Sequence, residues 1–204
     1  GAEIEVPRAA KVVDVSGKHI YPGLVDAYST VGITEIGAVD VSNDINELGE
    51  IVGRSSNAQR VTRPYLWRNG QMIDIGVDPP NQRGFAYGIN DGTEVVGYES
   101  DAFRWYDGQM TKLPRFRSCF CTAKEINNHG LIVGEENMDD RCRNGYEHAV
   151  AWEDVGQGYV QYDLNDFIPR HPDVTLRKAD DVNDAGQIAC FGEYDDGRER
   201  GLLV

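Results

Sequence analysis

The chain has 204 residues, 40% of them hydrophobic, and carries 34 acidic against 20 basic side chains for a formal net charge of −14. That length allows one substantial domain or two small ones. A surface this acidic repels a phosphate backbone, which argues against nucleic-acid binding, and no run approaches the roughly 20 apolar residues of a membrane span.

The opening "GAEIEVPRAA" has no basic region followed by an apolar run, so no signal peptide is expected within it. Residues 1–38 read as an N-terminal segment. Within it "KVVDVSG" (11–17) alternates apolar and polar positions as a strand does, and residues 11–16 are the expected strand.

From residue 39 onward the chain repeats itself, the signature of a stacked or radial architecture. "INELGEIVG" from Ile45 returns as "INDGTEVVG" from Ile89, as "INNHGLIVG" from Ile126 and, altered, as "VNDAGQIACFG" from Val182. A small residue stands three places earlier each time: Ser42, Ala86, Ala123 and Ala179. A second phrase follows the first, as "RPYLWRNGQMIDIG" (63–76), "DAFRWYDGQMTKLP" (101–114) and "HAVAWEDVGQGYVQYDLN" (148–165), and the last unit has only "RGLLV". The repeat domain is therefore 39–204, with units at about 39–80, 81–117, 118–170 and 171–204.

Two turn signals per unit separate three or four short apolar runs. The first uses Asn46 with Gly49, Asn127 with Gly130, Asn183 with Gly186 and a shortened Asn90-Asp91-Gly92. Asn and Gly tolerate the positive φ that tight antiparallel connections demand. The second signal is Asn69-Gly70 and Asp107-Gly108. Each unit then reads as a four-stranded antiparallel sheet, the size of one propeller blade. The expected fold is all-β and β-propeller-like, with four such units and a ring that residues 11–16 would close by completing the last sheet. Donation of that strand to a neighbouring molecule is the alternative.

Recurrence at one repeat position marks a core. Ile45, Ile89, Ile126 and Val182 share one position, and Trp67, Trp105 and Trp152 share another, for which packing between successive sheets is the expected role. Of the cysteines, Cys119 or Cys121 is placed to pair with Cys142 across two loops of one unit, Cys121–Cys142 being the pairing carried forward. Cys190, in the apolar run "QIACFG", reads as a buried thiol.

Candidate chemistry is sparse. Asp44, Glu125 and Asp181, each two residues before an Asn, begin like calcium-binding loops, but only one of three has the closing Glu, and an EF-hand is excluded. No cofactor is expected beyond a loosely bound surface calcium. His19, His129, His148 and His171 are scattered without metal spacing, and no nucleophile or phosphate-loop motif is present. The reading is a non-catalytic repeat scaffold or binding module of unassigned ligand. The alternatives are a hydrolase with an acidic loop site at the propeller mouth and, from Pro22, Gly23, Leu24 and Asp26 of a segment that resembles part of the amidohydrolases, a degenerate fragment derived from that family.

The order A-x-x-I-N-x-x-G-x-V-V-G, then aromatic-x-W-x-N/D-G-x-M-x-x-L, resembles the HAF-repeat family of probable extracellular repeat proteins over about residues 39–204. That resemblance implies an exported bacterial scaffold, extracellular or at the cell surface, and no catalytic residues. Residues 11–39 are similar to the barrel-entry segment of metal-dependent amidohydrolases: Pro22, Gly23, Leu24 and Asp26 match its pattern. Tyr28 and Thr30 stand where that family has its two metal-binding histidines, so the resemblance implies no metal site here.

Overall fold

The computed structural model describes residues 39–76, 83–117, 119–143, 145–168 and 173–204, with the side chains of residues 39 and 40 left aside. Residues 1–38, with the expected strand 11–16 and the amidohydrolase-like lead-in, lie outside the described residues.

The described chain is all-β, as the repeat predicts, and forms four antiparallel sheets in which each strand pairs with its sequence neighbour. The first sheet holds β1 (Val39–Ile45), β2 (Ile51–Ser56), β3 (Thr62–Arg68) and β4 (Gln71–Asp74). The second holds β5 (Phe85–Ile89), β6 (Val95–Tyr98), β7 (Ala102–Tyr106) and β8 (Gln109–Lys112). The third holds β9 (Cys121–Ile126), β10 (Ile132–Asn137), β11 (Glu147–Asp154) and β12 (Tyr159–Asp163), after which Leu164–Asp166 makes one 3₁₀ turn. The fourth has three strands among the described residues: β13 (Val174–Val182), β14 (Ile188–Tyr194) and β15 (Glu199–Leu203).

The second turn of the unit follows from its dipeptide. Asn69 and Gly70 have φ of 52° and 76°, Asp107 and Gly108 of 47° and 80°. Two consecutive positive φ values give the primed turn whose twist matches a two-residue hairpin, and Asn-Gly and Asp-Gly adopt it at least cost.

The first strand of every sheet carries an irregularity that the repeat does not announce. The register slips between Ser42 and Asp44 in β1, between Ala86 and Gly88 in β5, across Val133 and Gly134 where β10 meets β9, and between Ala179 and Asp181 in β13. Such a bulge bends its strand and re-aims the side chains after it. It also accounts for the Gly of the phrase: a Cβ on Gly53, Gly97 or Gly134 would collide with the carbonyl oxygen of Val41, Phe85 or Thr122 on the bulged strand.

The core lies between successive sheets. Val52, Leu66 and Ile75 of the first sheet pack on Ala86, Ile89, Val95, Phe103 and Trp105 of the second. Val96, Ala102 and Leu113 then meet Ala123, Ile126, Ile132, Val150 and Trp152 of the third. Val133, Ala149, Ala151 and Leu164 meet Leu176, Ala179, Val182, Ile188 and Cys190 of the fourth. Each unit thus has a leading face, centred on the Ile or Val of its phrase, and a trailing face, centred on Val52 with Leu66 in the first unit, Val96 with Ala102 and Leu113 in the second, where Arg104 stands opposite Val96, and Val133 with Ala151 in the third. Every junction joins one trailing face to the next leading face, by the burial that dominates folding energy.

Ile45 departs from its assignment to the repeat core. It is 61% exposed, against 4% for Ile89, 3% for Ile126 and 6% for Val182, and Trp67 is half-buried where Trp152 is fully enclosed. The cause is positional, because the leading face of the first unit has no described sheet packed in front of it.

Candidate binding face at the turn end

Four turns built on Asn46, Asn90, Asn127 and Asn183 gather at one end of the molecule. In each the Asn side-chain oxygen accepts a backbone N–H four residues on, at 2.9–3.0 Å from Glu50, Glu94, Leu131 and Gln187. This is the local side-chain-to-backbone bonding for which Asn is selected in turns. Gly49, Gly130 and Gly186 supply the positive φ, at 76°, 82° and 78°. In the second unit that place belongs to Thr93 (φ 60°), not to Gly92. The expectation of a shortened turn closing at Gly92 is thereby corrected: the turn keeps its full length. Thr93 tolerates the left-handed conformation while its hydroxyl donates to Glu50 Oε2 of the first unit at 2.8 Å.

The other end of each Asn amide reaches the next unit. Asn46 Nδ2 donates to the carbonyl oxygen of Asn90 at 3.0 Å, Asn90 Nδ2 to that of Asn127 at 3.1 Å, and Asn127 Nδ2 to that of Asn183 at 2.9 Å. Beside this ladder runs a second one, from the residue after each Asn. The backbone N–H of Glu47 donates to Asp91 Oδ1, that of Asp91 to Asn128 Oδ1 and that of Asn128 to Asp184 Oδ1, at 2.8–2.9 Å. The backbone N–H of Asn128 and its side-chain amide, at 3.0 Å, both bond the Asp184 carboxylate, which holds that group below the ordinary carboxylate range. In each of the first three units one side chain therefore closes its own turn and fastens it to the following unit.

At the centre of these turns, residues from all four units line a cavity of about 330 Å³. Three of the four units present the residue that ends their bulge toward it, Asp44, Glu125 and Asp181, while the second unit has Gly88 at that position, outside the lining. Asp44 Oδ1 accepts the N–H of Ile45 and Oδ2 that of Ile89 in the next unit, both at 2.8 Å. The second unit has Gly88 at this position and cannot offer the equivalent bond to Ile126. Glu125 supplies it instead, accepting the Ile126 N–H at 2.9 Å, with its carboxylate lying where a Cβ on Gly88 would sit. Burial, with repulsion from Asp44 adding to it, pushes the Glu125 carboxyl up to about 8. Burial also raises the Asp44 carboxyl, against the two backbone bonds that lower it.

A larger cleft of about 650 Å³ opens on the same end, between the second and third units, and reaches the turn of the fourth. Its walls carry Tyr106 and Tyr159, the ion pair of Arg104 with Glu94, and the carboxylates Glu153, Asp154 and Asp184. It lies within the size range of small-molecule sites. The sequence reading missed it, because its walls come from β7, β11, β12 and three turns, which share no linear motif. Among the described residues no three His, Cys, Asp or Glu side chains are grouped to hold a metal ion, and no helix is long and apolar enough to cross a membrane.

Two further features brace this frame. Cys142 pairs with Cys119, 23 residues away, and not with Cys121. The register explains the choice: Cys121 faces Glu136 within the sheet, whereas Cys119 precedes the strand and reaches the loop beyond β10 that carries Cys142. Cys121 is a buried free thiol, which burial and the neighbouring Glu136 keep protonated, and Cys190 is likewise free and buried. Glu136 is fully buried and accepts the N–H groups of Phe116 and Arg117 at 3.1 and 2.5 Å and the Gln161 amide at 2.7 Å, tying the connection between the second and third units to the third sheet.

Comparison of the chain with protein-family models, with curated proteins and with solved structures finds no match.

Proposed function

We propose that this chain is a non-catalytic repeat scaffold of propeller-like build, of the HAF-repeat kind and exported, which uses its turn end as a binding face. The carrying observation is that the same side chain in every unit closes a turn and, at the three junctions between described units, fastens it to the next unit. A site occupies one special place; a motif repeated with equivalent contacts at three junctions is architecture. The common cavity lined by all four units supports a radial arrangement. The Cys119–Cys142 disulfide supports an oxidising compartment. Among the described residues the fourth sheet has no counterpart of the outer strands β4, β8 and β12, and the sequence of residues 11–16 has the pattern of such a strand.

The turn-end cleft between the second and third units is the place for a ligand, with aromatic, amide and carboxylate groups at its walls. Its carboxylates also define the competing hydrolytic reading. The test is turnover of ester, amide and glycoside reporter substrates by the purified chain. The scaffold reading predicts rates equal to buffer. Turnover that disappears in Asp154→Asn or Glu153→Gln, with the fold retained by circular dichroism, would replace it with an enzyme.

A further inference from the structure

Each junction in the array joins a trailing face to a leading face, and among the described residues one of each is left over. On the trailing side of the fourth unit, the cross-strand pair Ala189/Leu203 stands where Val52/Leu66 and Val133/Ala151 are buried in the junctions. Ala189 is exposed and Leu203 is 70% exposed, whereas Leu66 at the same place is 0% exposed. On the leading side of the first unit, Ile45 is 61% exposed and Ile51 and Trp67 are half-buried, where Ile126, Ile132 and Trp152 are enclosed.

The hydrogen-bond ladders break off at the same two places. Asn183 Nδ2 bonds Gln187 Oε1 of its own turn at 2.8 Å, as Asn46 and Asn90 bond Glu50 and Glu94 of theirs, but among the described residues it has no acceptor in another unit. At the other end the Asn46 carbonyl accepts, among the described residues, the local Gly49 N–H and none from another unit, and Glu47 stands where Asp91, Asn128 and Asp184 accept from the unit before them. The apolar remainder and the polar remainder coincide on both faces. Both are complementary in the sense already realised three times within the chain.

We infer that the trailing face of the fourth unit is a docking surface for the leading face of a second copy of this chain. The contact repeats the internal junction: Ala189 and Leu203 cover Ile45, Ile51 and Trp67 of the neighbour, Asn183 Nδ2 meets the neighbour's Asn46 carbonyl, and the Asp184 N–H meets the neighbour's Glu47 carboxylate. Such a contact is heterologous, so it adds copies head to tail and ends only where a ring closes. The occupant follows from continuity with the internal junctions, whose two half-faces this chain itself carries. The net charge of −14 opposes the approach of copies, so association strengthens as salt screens it. The inference rests on the scaffold reading above, and the two fail separately: a monomer without turnover leaves the scaffold reading standing.

The experiment is light scattering on the full 204-residue chain over roughly 1–100 µM, the range in which a micromolar contact changes population, at low and moderate salt. Two face variants accompany it, leading-blocked Ile45→Arg and trailing-blocked Leu203→Arg. Both sites are exposed, so folding is preserved and checked by circular dichroism. The wild-type mass is expected to rise with concentration and with salt, each variant alone to stay monomeric, and their equimolar mixture to stop at a 1:1 dimer, since one variant offers a free trailing face and the other a free leading face. A wild-type monomer throughout overturns the inference: it means that the faces meet within one chain or are covered by residues 1–38. Dimers of a single variant would overturn it equally, because they require a self-complementary patch.

Discussion

Glu125 shows how one residue change in a repeat is absorbed by its neighbour. Unit two has Gly88 in place of a carboxylate, and the carboxylate of unit three fills the space and makes the missing bond. That arrangement holds a carboxyl at about 8, well above its unfolded value of 4.5, chiefly through burial. Between those two values the folded chain keeps a proton that the unfolded chain has released, so stability is highest in mild acid and falls as pH rises from about 4.5 to about 8. The raised Asp44 carboxyl acts in the same direction. Thermal unfolding is therefore expected to show a melting temperature that drops between pH 5 and pH 8.5, and a smaller drop in Glu125→Gln. An equal drop in the variant would show that other groups cause it. Glu136 is buried too, and its two side-chain oxygens accept three hydrogen bonds. Its removal in Glu136→Ala strands two backbone N–H groups and an amide, and chemical denaturation is expected to register a loss of about 3 kcal/mol.

Strands and turns were legible in the sequence to the extent that backbone geometry dictates residue type. Asn69-Gly70 and Asp107-Gly108 specify their turn because few other dipeptides hold two positive φ values. Thr93 escaped notice because a side-chain bond to the previous unit makes tolerable a conformation that its own chemistry disfavours. The four bulges left only an indirect trace, in the small residues Ser42, Ala86, Ala123 and Ala179 and in Gly53, Gly97 and Gly134 of the first three phrases, whose reason is a carbonyl oxygen on the neighbouring strand. Spacing alone left Cys119 and Cys121 equivalent; the end of β9 separates them. At this scale the disulfide closes a 23-residue separation across the third unit, and such a link stabilises by limiting the unfolded chain. Cys142→Ser is expected to cost about 3 kcal/mol in the denaturation midpoint analysis, and to leave the buried Cys121 thiol unreactive to an alkylating agent until the protein unfolds. Fast labelling of Cys121 in the folded variant would mean that the disulfide also holds the third sheet shut.

The molecule as a whole is a row of junctions between like faces. The sequence announced the repeat but not what connects its copies, since a bond from Asn46 to the Asn90 carbonyl spans 44 residues and leaves no mark on either phrase alone. The turn-end cleft was invisible for the same reason, being assembled from three units at once. Burial along the ladder is graded by position: Asn90 and Asn127 lie inside the array, Asn46 is half-buried at its leading end, and Asn183 is exposed at its trailing end. If the phrase is a connector, the energetic weight of the same residue must follow that order. The direct measurement is urea denaturation of four single variants, Asn46→Ala, Asn90→Ala, Asn127→Ala and Asn183→Ala, under conditions where the wild type is monomeric. Asn90→Ala and Asn127→Ala, which lose both turn and inter-unit bonds in a buried setting, are expected to lose roughly 2–4 kcal/mol; Asn46→Ala should lose less, and Asn183→Ala about 1 kcal/mol for its turn alone. Four equal losses would reduce the phrase to a local turn and contradict the account.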